Sequence, residues 1–142
     1  MNEIEFTILG EPVGKGRPKF STSNGFAMAY TPKKTVNFET LVKLSFQQQC
    51  SSVKPYDKDI MLGAQIVAFF PIPKSVSKKK RQEMLDGRIR PTKKPDNDNI
   101  AKAVLDALNG IAYYDDSQIC DLSVYKYYSD EPKTVVRIKE SI

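Results

Sequence analysis

An α/β (α+β) fold, a two-layer sandwich whose mixed, mostly antiparallel sheet packs against helices, is predicted by three observations. Alternating segments stand at both ends of the chain, a long apolar run lies in the middle, and three stretches with helical spacing lie between them. In the resulting order β, β, α, β, α, α, β, β, strands and helices intermix without the strict alternation of a parallel doubly wound sheet. The 142 residues fit a single domain over 1–142. A chain of this size can bury about two-thirds of its unfolded surface without disulfides or a structural metal.

Glu3 to Leu9 alternates, with Ile4, Phe6 and Ile8 on one face, as in a half-buried strand. It runs into Gly10 to Lys19, where three glycines and two prolines exclude regular structure while Lys15, Arg17 and Lys19 accumulate. Asn24-Gly25 marks a turn and Thr31-Pro32 a helix start. Phe38, Leu41, Val42 and Phe46 then recur at helical spacing through Cys50. Ile60 to Phe70 reads as the central strand, apolar on both faces and closed by Pro71-Ile72-Pro73. Ser77 to Leu85 is a short basic helix ended by Gly87, followed by a basic loop to Pro95. Asn99 to Asn109 makes the third helix, with Ile100, Val104 and Leu108 inward and Gly110 as its stop. Ile119–Tyr128 and Lys133–Lys139 should pair as a hairpin across Ser129 to Pro132.

Composition narrows the chemistry before any motif is read. Histidine is absent, which excludes Ser-His-Asp and Cys-His catalysis, histidine-ligated zinc and histidine general bases. Cys50 and Cys120 form no C-x-x-C pair and read as reduced thiols in or near the core. The first residues are acidic and alternating rather than a secretory leader. The longest apolar stretch, Ile66 to Pro73, falls well short of the roughly 20 residues a bilayer span needs. A cytoplasmic location is expected, with no membrane partner.

The net charge of +5 conceals a sharper pattern. Residues 74–94 hold Lys74, Lys78, Lys79, Lys80, Arg81, Arg88, Arg90, Lys93 and Lys94 against Glu83 and Asp86, a local +7. Residues 95–121 reverse the sign: Asp96, Asp98, Asp106, Asp115, Asp116 and Asp121 against Lys102 give −5. Taken alone, a basic run is a solvated helix face. Beside an acidic cluster it suits phosphodiester chemistry: cations hold the backbone, and carboxylates hold Mg²⁺ at the scissile phosphate. Mg²⁺ prefers carboxylate oxygen and water, so a site without imidazole suits it, with Mn²⁺ as a substitute.

Lys94-Pro95-Asp96-Asn97-Asp98-Asn99 opens the third helix, and Pro95 pushes Lys94 out of helical geometry, so the two carboxylates belong to a loop–helix junction. Asp and Asn are good N-caps, but capping does not call for four such residues in a row. An EF-hand fits poorly, since Ile100 and Ala101 stand where a ligand and a glycine are needed. Lys102 and Asp106 follow Asp98 at successive i+4 positions, either as surface ion pairs or as a stripe facing the site. Tyr114-Asp115-Asp116-Ser117 comes after the helix turns back at Gly110 and could bring a third carboxylate to the first two.

These strings, with Leu105-Asp106-Ala107-Leu108-Asn109-Gly110, Asp115-Asp116-Ser117-Gln118-Ile119 and the upstream Gly14-Lys15-Gly16-Arg17-Pro18, resemble the RusA family of Holliday junction resolvases of bacteria and their prophages. The resemblance implies a homodimeric, Mg²⁺-dependent endonuclease of DNA recombination and repair that nicks two strands of like polarity across a four-way junction. By motif it makes Asp96, Asp98 and Asp116 the metal-binding carboxylates and Lys102 the catalytic lysine, with Asp115 a lesser candidate. Asn97 departs from the family's pattern, where an apolar residue is common between the two aspartates. Lys15, Arg17, Lys19, Lys78, Lys79, Lys80, Arg81, Arg88, Arg90, Lys93 and Lys94 are the expected DNA contacts.

Two rivals remain. The glycine-rich segment is no P-loop, because Lys15 is followed by Gly16 rather than Ser or Thr, so no nucleotide cofactor is expected. A non-catalytic DNA- or RNA-binding module could use the basic 74–94 segment with Tyr113, Tyr114, Tyr125, Tyr127 and Tyr128 as stacking platforms. Such a module has no use for carboxylates that repel phosphate.

Overall fold

The computed structural model describes residues 3–16, 19–21, 28–30 and 33–141. Its strands are β1 (Ile4–Leu9), β2 (Lys19–Ser21), β3 (Met28–Tyr30), β4 (Leu62–Pro71), β5 (Ile119–Ser129) and β6 (Lys133–Glu140). Its helices are α1 (Lys33–Gln49), α2 (Lys78–Leu85) and α3 (Asn97–Ala107), with a 3₁₀ turn at Asp116–Gln118. A four-stranded sheet runs β1-β6-β4-β5, antiparallel except for the parallel β4–β5 pair, and β2 and β3 form a separate two-stranded ladder. The Asn24-Gly25 turn and the Thr31-Pro32 helix start fall outside the described residues.

Alternation decides which strands lie inside. On β1, Ile4, Phe6 and Ile8 are buried, and on β6 so are Thr134, Val136 and Ile138. β4 buries Leu62, Ala64, Ile66, Ala68 and Phe70 but leaves the intervening residues half-exposed. The helices therefore cover one face of the central strand, although its sequence is apolar on both.

The expected β5–β6 hairpin does not form. β4 lies between the two strands, pairing in parallel with β5 and antiparallel with β6. The cause is burial: β6 carries a fully buried row, Thr134, Val136 and Ile138, that suits an interior position, whereas β5 is exposed along most of its first half and suits an edge. Residues 130–132 cross the end of β4 at Pro71, where a residue without an N–H ends the ladder.

On α1, Phe38, Val42 and Phe46 face inward as expected, and Phe46 meets Phe6 edge-on at 5.6 Å. Leu41 does not: it is 40% exposed on the flank, its inward place taken by Thr35 and Ser45. The Gln49 amide donates to the Thr7 carbonyl at 2.7 Å and accepts from the Thr7 N–H at 2.8 Å, occupying the free edge of β1. α2 buries Met84 alone and stops as expected, with Gly87 at φ 79. Both cysteines are free thiols as expected; Cys50 is buried, whereas Cys120 is exposed rather than in or near the core. Among the described residues no helix is long and apolar enough to cross a membrane.

Candidate active site

α3 is a core helix with one polar band. Six of its eleven residues are buried, including Ile100 and Val104 at 0% exposure, so more than half of the helix packs against protein. Asp98, Lys102 and Asp106 interrupt this burial along a single stripe. The helix begins at Asn97 rather than Asn99, which puts Asp96 at the N-cap and Asp98 in the first turn. Asp96 makes no capping hydrogen bond, so its carboxylate oxygens are not spent on the helix. Among the described residues neither Asp96 nor Asp98 enters an ion pair, and Lys102 does not pair with the aspartates four residues to either side. Asn97, the departure from the family pattern, donates to the Val124 carbonyl at 3.2 Å and ties this end of α3 to β5.

The other end of the band is acidic as well. The Asp116 carboxyl is held above the ordinary carboxylate range, first by burial and then by its neighbours Asp106 and Asp115. The Asn109 side chain accepts the Asp116 backbone N–H at 2.8 Å and fixes this carboxylate beside the helix end. Asp115 has other work: it caps the 3₁₀ turn through the Ser117 N–H at 3.0 Å, and the Ser117 hydrogen bonds draw its pKa down. Gln118 completes the capping box, accepting the Asp115 N–H at 3.0 Å and donating to the carbonyls of Asp57 and Ile60. Tyr113 lies fully buried beneath the turn, its hydroxyl donating to the Leu105 carbonyl. Burial and then the neighbouring aspartates push its pKa far up, which keeps it protonated.

The glycine-rich segment braces the opposite end. The Lys15 N–H donates to the Asn99 carbonyl at 2.8 Å, and the Gly16 N–H donates to the Thr35 hydroxyl at 2.8 Å. Lys15 Nζ lies 2.9 Å from Glu39 Oε2 and 3.4 Å from Asp106 Oδ2. Burial works against this ammonium, but the Glu39 and Asp106 carboxylates outweigh it and raise its pKa. Lys15, an expected DNA contact, is thus already paired with two carboxylates. A cleft of about 270 Å³ opens beside it, lined by Gly14, Lys15, Lys34, Lys94, Asp96 and Asn99 among others.

The remaining cations divide in two. Lys78, Lys79, Lys80, Arg88, Lys93 and Lys94 are exposed. Arg81 pairs with Asp130, and Arg90 donates to the Lys126 carbonyl at 2.8 Å with its guanidinium 4.2 Å from the Tyr127 ring centre, so both also hold the fold. Arg17 and the Lys19 side chain lie outside the described residues. Of the tyrosines, Tyr113 is buried, Tyr127 and Tyr128 are half-buried, Tyr125 is 38% exposed and Tyr114 is 69% exposed.

The band thus has two acidic stations. Asp98 and Asp106 are eight residues apart, about 12 Å along a helix rising 1.5 Å per residue, and Asp116 sits with Asp106. Among the described residues no three His, Cys, Asp or Glu side chains are gathered tightly enough to hold one ion. Asp106 and Glu39 are the neighbours that sequence reasoning left out of the site. The i+4 repeat Asp98-Lys102-Asp106 was the available signal for the first, but nothing in the sequence points to Glu39.

A family model described as Endodeoxyribonuclease RusA matches residues 10–139. The chain is also 43% identical over 145 residues to the "Uncharacterized protein YqaN" of Bacillus subtilis (strain 168), across 99% of this chain and 98% of that protein.

Proposed function

The chain belongs to the RusA endodeoxyribonuclease family, and from that premise we propose that it nicks four-way DNA junctions with a divalent cation, most suitably Mg²⁺, in recombination and repair. The observation that carries this reading is the band on α3: a helix with six of its eleven residues buried keeps Asp98, Lys102 and Asp106 at its open stripe, with Asp96 and Asp116 at the two ends.

The donor set fits a hard cation. Every candidate ligand is a carboxylate, and the Asp106 charge near Asp116 raises that carboxyl's pKa, a like-charge repulsion that a divalent ion relieves. Mg²⁺ is ordinarily held by one or two carboxylates with water and substrate phosphate, not by a closed protein cage, so two-carboxylate stations suffice. Asp96 and Asp98 would hold it at one station and Asp116, with Asp106 beside it, at the other. When bound, the ion supplies Lewis acidity toward the phosphate and a more acidic water.

Lys102 stands on the band between the stations, where its ammonium offsets charge building on the phosphate or the leaving oxygen. Lys78, Lys79, Lys80, Arg88, Lys93 and Lys94 offer exposed charge for the DNA backbone, with Lys34 and Lys94 bordering the cleft at Asp96. Cutting two strands symmetrically requires two sites, so the active species is a C2 homodimer. The cytoplasm, where chromosomal and prophage DNA recombine, is the proposed setting. A binding module built on 74–94 would need the exposed lysines but not the band.

The test is a synthetic four-way junction with each strand end-labelled in turn, beside a linear duplex of one arm's sequence. Paired nicks in two strands of like polarity, with the duplex left intact, are expected. Equal cutting of the duplex would reduce the protein to a general nuclease, and tight binding without cutting would favour the binding module.

A further inference from the structure

We propose that Lys15 is a positioning residue: its ammonium is the built-in counter-charge of the Asp106–Asp116 carboxylate pair, and it sets how tightly a divalent cation is held there. The inference rests on the reading of the acidic band as a metal site.

Lys15 is fixed from both sides. Its own N–H is bonded to the Asn99 carbonyl of α3, and the next residue's N–H to the Thr35 hydroxyl of α1. Gly14 packs so closely on Pro95 and Asn99 that a Cβ there would come within 2.7 Å and 3.0 Å of theirs. The lysine stem therefore starts from a clamped point between two helices. Its ammonium reaches Glu39 at 2.9 Å and Asp106 at 3.4 Å, with the Lys15, Glu39 and Asp106 side chains 26%, 18% and 28% exposed. Asp106 in turn stands beside Asp116: Asn109 donates its N–H to the Asp106 carbonyl at 3.3 Å, and its side chain accepts the Asp116 N–H at 2.8 Å. The Lys15 cation thus pairs with the first carboxylate, and Asn109 tethers the second beside it.

Two consequences distinguish this role from phosphate binding. A cation already paired with two carboxylates has little left to offer a DNA backbone that finds exposed lysines at 78–80, 93 and 94. A cation beside the carboxylates also competes with an incoming metal ion, because like charges a few ångströms apart repel even through a well-screened medium.

The experiment compares wild type, Lys15→Met, Lys15→Arg and Asp116→Asn without DNA, counting bound Mn²⁺ by electron paramagnetic resonance and recording melting with EDTA or Mn²⁺. Lys15→Met should bind Mn²⁺ about tenfold tighter, the scale set by one nearby surface charge. It should melt lower than wild type in EDTA and recover more on adding Mn²⁺. Lys15→Arg, which keeps the charge, should stay within about threefold of wild type. Unchanged or weaker Mn²⁺ binding by Lys15→Met overturns the inference. So does a large loss of junction affinity in EDTA with a salt slope shallower by about one, the signature of a lost phosphate contact. Asp116→Asn should lose Mn²⁺ binding; if it binds as wild type does, the metal-site reading itself fails, a result distinct from an unaltered Lys15→Met beside a defective Asp116→Asn.

Discussion

Asp98→Asn should abolish junction cutting, slowing it by on the order of a hundredfold or more, while fold and junction binding survive. Asp98 lies exposed in the first turn of α3 and makes no ion pair among the described residues. Asparagine reproduces its shape and removes only its charge. That charge is mildly favourable at a helix N-terminus, so the melting temperature should fall slightly. Its larger use is toward a cation, where a neutral amide is a poor replacement for a carboxylate. Single-turnover cleavage under saturating protein measures the first effect, and gel shift with EDTA the second. Equal loss of binding and cutting would instead mean that Asp98 maintains the DNA surface.

Gly14→Ala should impair both stability and cutting, with cutting more affected. The new methyl would meet the Cβ atoms of Pro95 and Asn99 at 2.7 Å and 3.0 Å, and neither is the free end of a flexible side chain. Either the segment before Lys15 or the start of α3 must move. Overpacking of this kind costs about 1–3 kcal/mol, which lowers melting by several degrees. Asp96 and Asp98 belong to the same turn as Asn99, so the displacement reaches the acidic station directly. Gly63→Ala is the control: its nearest neighbour, Asp121 Cβ, is 3.7 Å away, an ordinary contact. Equal melting of Gly14→Ala and wild type would show that the brace is looser than its geometry.

The element order and the two-layer class were legible in the sequence because alternation and helical spacing are local signals, and burial of Ile4, Phe6, Ile8, Ile100, Val104 and Leu108 follows them. The β5–β6 pairing was misread because strand order depends on which strand competes best for the interior, and Thr134, Val136 and Ile138 lie buried where the start of β5 is mostly exposed. Within the candidate site, the Asp96-Asn97-Asp98 string was rightly placed at a loop–helix junction. The pairing of Asp116 with Asp106 was out of reach, since it depends on a turn held by Asn109, Asp115 and Gln118. Lys15 looked like a phosphate contact because composition counts a cation without showing what already neutralises it. Its partners, Glu39 and Asp106, are 24 and 91 residues away in sequence and meet it through packing of α1 and α3.

Cleavage of a static four-way junction by wild type and by Asp116→Asn, each with Mg²⁺ and with EDTA, tests the acidic band most directly. Wild type should cut with Mg²⁺ alone, and Asp116→Asn should bind the junction and leave it uncut in both conditions. Cutting by wild type in EDTA, or by Asp116→Asn at the wild-type rate, would contradict the assignment of these carboxylates to a divalent cation.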